Sequence, residues 1–142
     1  MNAMEISRTG MDVEWRRLEL IALNLANANT TRTAGGEPYQ AMRLVSGPKT
    51  GFSDYLRAGA GGQRLQGVEV YGMKSEGLAP RRVHEPGHPH ADKDGYVTYP
   101  GIDHAGEMTL MVKTSRAYEA NIVAMNAARQ MYIKALELGK NS

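Results

Sequence analysis

The side chains best suited to chemistry lie close together, late in the middle of the sequence. The eleven residues ending at Asp94 hold three histidines and three carboxylates, which are residue types that bind divalent metal ions. Their spacing argues against a preformed site, because a proline separates His88 from His90 and the helical HExxH pattern is absent. The later ligands of a calcium loop are also missing after Asp92. The stretch therefore predicts a polar turn, and the weaker alternative is a metal-dependent enzyme using His84, His88, His90 and Asp92.

Other catalytic patterns are also missing from the sequence. It contains no cysteine, no serine lies in a Gly-x-Ser-x-Gly elbow, and the glycine-rich run at 59–62 lacks the Lys and Ser or Thr of a phosphate-binding loop. The net charge is only +2 and the basic residues are scattered, which argues against a nucleic-acid partner. No apolar run is long enough to insert into a membrane, and the N-terminus lacks the pattern of a Sec signal peptide. We expect a protein that is not an enzyme and needs no cofactor.

An apolar stripe predicts a first helix from about Ala3 to Asn29. Its members recur every seven residues or fill the three- and four-residue offsets between them. Gly10 predicts a break or fraying, because glycine costs a helix about 1 kcal/mol relative to alanine. The asparagines and threonines from Asn24 onward predict the end of the helix. The stripe consists of Met4, Met11, Trp15, Leu18, Ile21, Ala22, Leu25 and Ala28.

A second, longer helix is predicted from about Ala105 to Leu138, with Gly139 as its C-terminal stop. Its length and its seven-residue repeat favour a coiled-coil partner. Matching stripes at the two ends of the chain predict that the helices meet, either within one chain or between chains. The second stripe consists of Met111, Ser115, Tyr118, Ile122, Met125, Tyr132 and Leu136.

The segment between the helices, about 31–104, holds all six prolines and most of the glycines. It predicts a small β-rich insert with a flexible loop near 47–66, and Asp94-Gly95 predicts a tight turn. The expected fold class is α+β, with terminal helices at 1–30 and 105–142 that pack as a coiled-coil stem. The predicted strands are Tyr39 to Val45, Val68 to Met73, Arg81 to His84 and Tyr96 to Tyr99.

The asparagines at the end of the first helix allow two interpretations. Asn24, Asn27 and Asn29 are typical of a helix terminus that runs into a turn. Alternatively, Asn24 and Asn27 lie beside the apolar stripe and hydrogen-bond to neighbouring chains, because a polar residue in a coiled coil can fix its register. The sequence leaves both interpretations open.

Three blocks of sequence resemble a known family. The block from Asn24 to Thr33 is similar to the N-terminal signature of bacterial flagellar rod and hook proteins. The block from Glu85 to Pro100 resembles a segment of the proximal-rod branch of that family. Ser115 to Asn121, followed by Met125 to Ala128, is similar to the C-terminal helix of the same branch.

The resemblance implies a structural subunit of the flagellar basal-body rod, exported by the flagellar type III apparatus and assembled by helix packing for motility. The implied partners are other rod proteins, the adaptor between the rod and the membrane ring, and further copies of the chain. By position, Asn24, Asn27 and Thr30 are signature residues, and Tyr118, Glu119 and Asn121 lie on the interlocking C-terminal helix. The stripes alone would also fit a cytoplasmic coiled-coil adaptor. The predicted assembly interface is Met4, Met11, Trp15, Leu18, Ile21, Asn24, Leu25, Asn27, Thr30, Met111, Tyr118, Glu119, Asn121, Ile122, Met125 and Tyr132.

Overall fold

The structure, a computed structural model, describes residues 2–49 and 66–140 of the 142-residue chain. Two helices enclose a small set of strands in the sequence, so the predicted α+β fold class is confirmed. Most of the loop predicted near 47–66 lies outside the described residues. The elements are α1 (Ala3–Ala26), β1 (Met42–Pro48), β2 (Val68–Ser75), β3 (Arg81–His84), β4 (Tyr96–Tyr99) and α2 (His104–Lys140).

Helix α1 begins with a capping box. The backbone N–H of Asn2 donates to the Glu5 carboxylate at 3.0 Å, and the N–H of Glu5 donates to Asn2 Oδ1 at 2.9 Å. The helix continues through Gly10, so the predicted break there is wrong. A close approach to α2 explains the glycine, because a Cβ at position 10 would lie 2.5 Å from Asn121 Oδ1. The helix ends at Ala26, three residues before the predicted end.

The chain forms two compact units, each drawing on both helices. The first comprises Met1–Arg16, Val45–Gly72 and Thr114–Ser142. Within it, Gly10 faces Asn121 and the Trp15 ring lies 6.0 Å from the Tyr118 ring, so the two helix segments run antiparallel. The predicted meeting of the helices therefore occurs inside one chain. Val13 of α1 and Ala128 of α2 are buried.

The second unit comprises Arg17–Leu44 and Met73–Lys113. Strands β3 and β4 form a two-stranded antiparallel sheet, with Arg81 opposite Tyr99 and His84 opposite Tyr96. Val97 of β4 is completely buried, as its position on the inner face of this hairpin requires. The buried apolar residues of this unit are Leu20, Ile21, Ala41 and Val97.

The strands agree with the sequence prediction to different degrees. β3 and β4 have the predicted bounds, and β2 extends two residues beyond Met73. β1 begins three residues later than predicted, because the Tyr39 N–H donates to the Thr30 carbonyl at 3.2 Å instead of to a strand. It also ends three residues later, at Pro48, within the predicted loop. β1 pairs with β2 in a second two-stranded sheet. The division of the sequence into a stem and an insert as separate domains stays a prediction.

Helix α2 differs from its prediction at the C-terminal end. It contains Gly139 and extends to Lys140, so the predicted stop at Gly139 is wrong. One glycine near the end of a long helix costs about 1 kcal/mol. The helix can continue through it because the preceding nine turns are already formed. Neither helix of the described chain is long and apolar enough to cross a membrane.

Candidate functional site

A buried polar junction occupies the second unit, and its centre is Asn24 on α1. The Asn24 side chain is fully buried. Its amide nitrogen donates to the Met42 carbonyl at 3.0 Å, and its oxygen accepts from the Met42 N–H at 3.1 Å and the Tyr39 hydroxyl at 2.9 Å. The second amide hydrogen points to Glu107 Oε2 at the longer distance of 3.4 Å. All four hydrogen-bonding positions of this amide are therefore directed at the same chain.

Glu107, in the first turns of α2, supplies the negative charge of the junction. Its side chain is only 2% exposed, and its carboxylate forms an ion pair with the Arg43 guanidinium. Arg43 also contacts the Glu76 carboxylate at 2.9 Å. A carboxylate this deeply buried is stable only when it is paired and hydrogen-bonded, and here β1 supplies the cation while α1 supplies the amide.

The junction changes the proton affinity of two neighbours. Burial raises the pKa of the Tyr39 phenol above its ordinary value, and the nearby Glu107 charge raises it further. The hydrogen bond to Glu107 raises the pKa of the Arg43 guanidinium, while partial burial acts in the opposite direction. Both groups are already protonated at neutral pH at their ordinary pKa values, so the raised pKa values only extend their protonation to higher pH.

The sequence prediction found only part of this junction. It singled out Asn24 but missed Glu107, Arg43 and Tyr39. A signal existed, because Glu107, Thr114, Asn121 and Ala128 step by seven along α2 and three of these four are buried. The polar members of this stripe obscured it, since the sequence search followed apolar residues. Arg43 and Tyr39 carried no comparable pattern.

The other asparagines and the adjacent threonines have local roles. Asn27 Nδ2 donates to the Leu23 carbonyl at 2.9 Å, and Asn27 Oδ1 accepts from the Thr30 hydroxyl at 3.1 Å. These bonds close the turn after α1, which agrees with the helix-terminus interpretation of Asn27. Asn24 differs from Asn27, because its amide binds the start of β1 within the same chain.

The histidine-rich stretch folds into an ordered loop between β3 and β4. The Glu85 N–H donates to the Gly95 carbonyl at 2.8 Å, and Gly95 takes the φ of +79° that favours glycine in a turn. Asp92 Oδ1 accepts from the N–H groups of Asp94 and Tyr96, both at 2.9 Å, and its other oxygen contacts Arg82. The polar turn is therefore present, with the Asp92 carboxylate occupied by the protein itself.

The histidines of this stretch likewise contact protein groups. His84 lies edge-on to the Tyr96 ring with centroids 5.0 Å apart, and His90 Nδ1 is 2.8 Å from the Thr31 hydroxyl. The His88 Nδ1 accepts from the His90 N–H at 3.0 Å. Across residues 2–49 and 66–140, no three His, Asp or Glu side chains are grouped to hold a metal ion.

The predicted assembly residues are buried, exposed or partly covered within the chain. Ile21 and Asn24 are buried within the chain. Trp15 and Tyr132 are more than half exposed, and Glu119 is also exposed. The remaining residues are partly covered, so each keeps some surface that a neighbour could reach. They are Met4, Met11, Leu18, Leu25, Asn27, Thr30, Met111, Tyr118, Asn121, Ile122 and Met125.

The final turns of α2 are the most exposed apolar part of the described chain. Ala128 is the last buried residue of the helix, and every residue from 129 to 140 is exposed. Tyr132 and Leu136 are each 58% exposed and Leu138 is 72% exposed. Met131 and Ile133 complete this surface, which we call the α2 end patch.

Comparison with known proteins agrees with these features. Residues 93–138, which include β4 and most of α2, match the family described as flagellar basal body rod FlgEFG protein C-terminal. The chain is 34% identical over 140 residues to the flagellar basal-body rod protein FlgC of Salmonella typhimurium, covering 99% of this chain and 98% of the relative. It is 35% identical over 147 residues to FlgC of Bacillus subtilis, covering 98% and 97%. It is 32% identical over 149 residues to FlgC of Borreliella burgdorferi, covering 96% and 95%. The chain therefore belongs to the FlgC family of flagellar basal-body rod proteins.

Proposed function

We propose that this chain is a structural subunit of the proximal rod of the bacterial flagellar basal body and that it acts without catalysis. Family membership over nearly the whole length supports the rod assignment. The α2 end patch is the observation that supports assembly through helices. Clustered exposed apolar side chains mark interaction sites in soluble proteins, because leaving them in water forfeits the free energy of burial.

Helix α1 also carries exposed and partly exposed apolar residues. Trp15 is 54% exposed, although its ring also contacts Tyr118 of α2, and Leu23 is 50% exposed. Met4, Met11, Leu18 and Leu25 are half-buried beside them. We propose that neighbouring subunits cover these residues together with the α2 end patch. Asn24 is not part of this proposed surface, because its amide is committed to Met42 and Tyr39.

The proposed partners are other rod proteins, further copies of the chain and the adaptor between the rod and the membrane ring. The proposed route to the rod is the flagellar type III export apparatus. The absence of cysteine fits a chain that passes through an export channel unfolded, because no disulfide has to form after export. The names of the relatives, all rod proteins, support a role in the basal body.

Complementation of a deletion strain tests this function. We expect deletion of the gene to abolish flagella and the wild-type gene to restore swimming. A double substitution in the α2 end patch, Tyr132→Ser with Leu136→Ser, should fail to restore swimming. The matched control Lys134→Ser changes an exposed polar residue on the same turns, and a strain that carries it should swim. Normal filaments in the deletion strain would refute the rod function, and retention of the chain in the cytoplasm during active export would favour a cytoplasmic adaptor.

A further inference from the structure

The buried junction joins three segments that are far apart in the sequence. Asn24 lies in the last turn of α1, Arg43 lies in β1 and Glu107 lies in the first turn of α2. Glu107 lies 83 positions after Asn24 and 64 positions after Arg43, yet its carboxylate meets both side chains. The junction is therefore complete only when the last quarter of the chain has folded onto the first third.

Asn24 and Met42 make the contact that fixes the start of β1. Both polar groups of the Met42 backbone are bonded to the Asn24 amide. These two bonds contribute little to the stability of the fold if water can compete for them. A hydrogen bond contributes to stability mainly when its groups are shielded. Glu107 is the α2 side chain that meets this amide, and at 2% exposure it lies with the fully buried Asn24 out of reach of water.

The ion pairs of Arg43 also depend on α2. Its guanidinium contacts Glu76 and Glu107, and the Glu76 side chain is 32% exposed whereas that of Glu107 is 2% exposed. Without α2, Arg43 would retain only the partly hydrated partner. With α2 in place, the charge of Glu107 requires Arg43 and Asn24 together, because a buried carboxylate that loses a partner is strongly destabilised.

We infer that the Asn24–Arg43–Glu107 junction is a folding lock, in which β1 docks onto α1 no earlier than α2 pairs with them. β1 and α1 then stay apart until α2 packs and places Glu107 at the junction. This inference rests on the proposed function in one respect: in a chain exported unfolded, the lock delays compaction until the C-terminal helix is available. The lock itself is a property of the isolated chain and can be tested without flagella.

Amide hydrogen exchange in the full-length chain tests the lock. The chain is purified and kept folded with trimethylamine N-oxide, an osmolyte that favours the compact state. Glu107→Gln removes the charge and keeps the size of the side chain. We expect it to speed exchange of the Met42 amide about tenfold or more, because hydrogen bonds to charged groups are the stronger class. The matched control Glu137→Gln is the same substitution at an exposed position of α2 and should leave the Met42 rate unchanged.

Amides in the other unit distinguish a local lock from general destabilisation. We expect those from Ala124 to Ala128, within the first unit, to keep wild-type rates in Glu107→Gln. An unchanged Met42 rate would overturn the proposal, and so would an equal acceleration at every amide, which would mean that Glu107 merely contributes to global stability. Either outcome would leave the rod function intact, since that is tested by complementation.

Pulse labelling during refolding of the wild-type chain provides a second test that needs no variant. The lock requires the Met42 amide, which donates to Asn24 Oδ1, to become protected together with, or after, those of Leu110 and Met111 in α2. Protection of Met42 before α2 would overturn the proposal even if Glu107→Gln could not be folded.

Discussion

The amide side chain of Asn24 binds the backbone of Met42 twice, by donating to its carbonyl at 3.0 Å and accepting from its N–H at 3.1 Å. One side chain at the end of α1 thus sets where β1 begins. The pairing mimics one step of a β-ladder, in which a residue uses both of its backbone groups. A helix residue in this position fixes the adjacent strand without requiring a further strand beside it.

Removal of this side chain should be costly. Asn24→Ala leaves the Met42 N–H and carbonyl without their partner in a buried site, so we expect a loss of about 2–3 kcal/mol in the free energy of unfolding. Asn27→Ala is the matched control. Its bond to the Leu23 carbonyl is exposed and its bond from the Thr30 hydroxyl is only part-buried, so we expect a change of about 0.5 kcal/mol or less.

Urea unfolding in trimethylamine N-oxide, followed by the fluorescence of the single tryptophan Trp15, measures both variants. Equal midpoints for Asn24→Ala and Asn27→Ala would contradict the role assigned to Asn24.

The close approach at Gly10 predicts a non-additive pair of substitutions. Alanine normally stabilises a helix by about 1 kcal/mol relative to glycine. At position 10 its Cβ would lie 2.5 Å from Asn121 Oδ1 and 2.9 Å from Asn121 Cγ, so the Asn121 side chain would have to move and give up its bond to the Ala117 carbonyl. We expect Gly10→Ala to give no gain in stability in the wild-type background.

The same substitution should behave differently when Asn121 is shortened. In an Asn121→Ala background, Gly10→Ala should stabilise the chain by about 1 kcal/mol, measured by the same urea titration. Equal effects of Gly10→Ala in the two backgrounds would show that α1 and α2 do not pack through this pair.

The loop between β3 and β4 should tolerate acid. The Tyr96 N–H bond is the main cause that lowers the pKa of the Asp92 carboxyl below its ordinary value of 3.8. Desolvation opposes it, and the Asp94 N–H and Arg82 lower the pKa further. Because the folded-state pKa is below the unfolded one, the stabilisation is fully present above pH 3.8. It is lost only as the pH falls through the lower, folded-state value.

Nuclear magnetic resonance of the Asp94 and Tyr96 amides measures this titration. We expect their shifts to change with a midpoint below pH 3.8, and Asp92→Asn to remove the change. A midpoint at or above the ordinary value would mean that the carboxylate is not held by these amides in solution.

The exposed helix flanks predict that the isolated chain is less ordered than its structure. Apolar surface that is completed only by neighbours contributes little to the stability of a monomer. We expect circular dichroism of a dilute monomer without osmolyte to show substantially less helix than the 24 residues of α1 and 37 residues of α2 would give. Full and cooperative helicity under these conditions would count against the assembly proposal.

The existence and order of the elements could be predicted from the sequence, because periodicity and turn residues are local signals. β3 and β4 have the predicted bounds since Pro and Gly flank alternating side chains. The break at Gly10 was wrong because a propensity argument does not see Asn121, which lies 111 positions later and requires the close approach. Tertiary contacts of this kind override local preference.

The inner faces of the helices were harder to predict than the helices themselves. The apolar residues Met4, Met11, Leu18 and Leu25 outline a stripe, but the structure buries none of them fully. The inward face includes Asn24 and Glu107, whose burial depends on each other and on Arg43 from a strand. A search for apolar periodicity passes over polar residues that are buried only because distant partners satisfy them.

Isolation of basal bodies from flagellated cells tests the central claim most directly. Filaments and hooks are removed, the remaining rod and ring complexes are purified, and the fraction is probed for this chain. The account predicts that the wild-type chain co-purifies with the rod, whereas the Tyr132→Ser, Leu136→Ser variant is absent from it. Recovery of the wild-type chain only in the cytoplasm, with none in the rod fraction, would contradict the account.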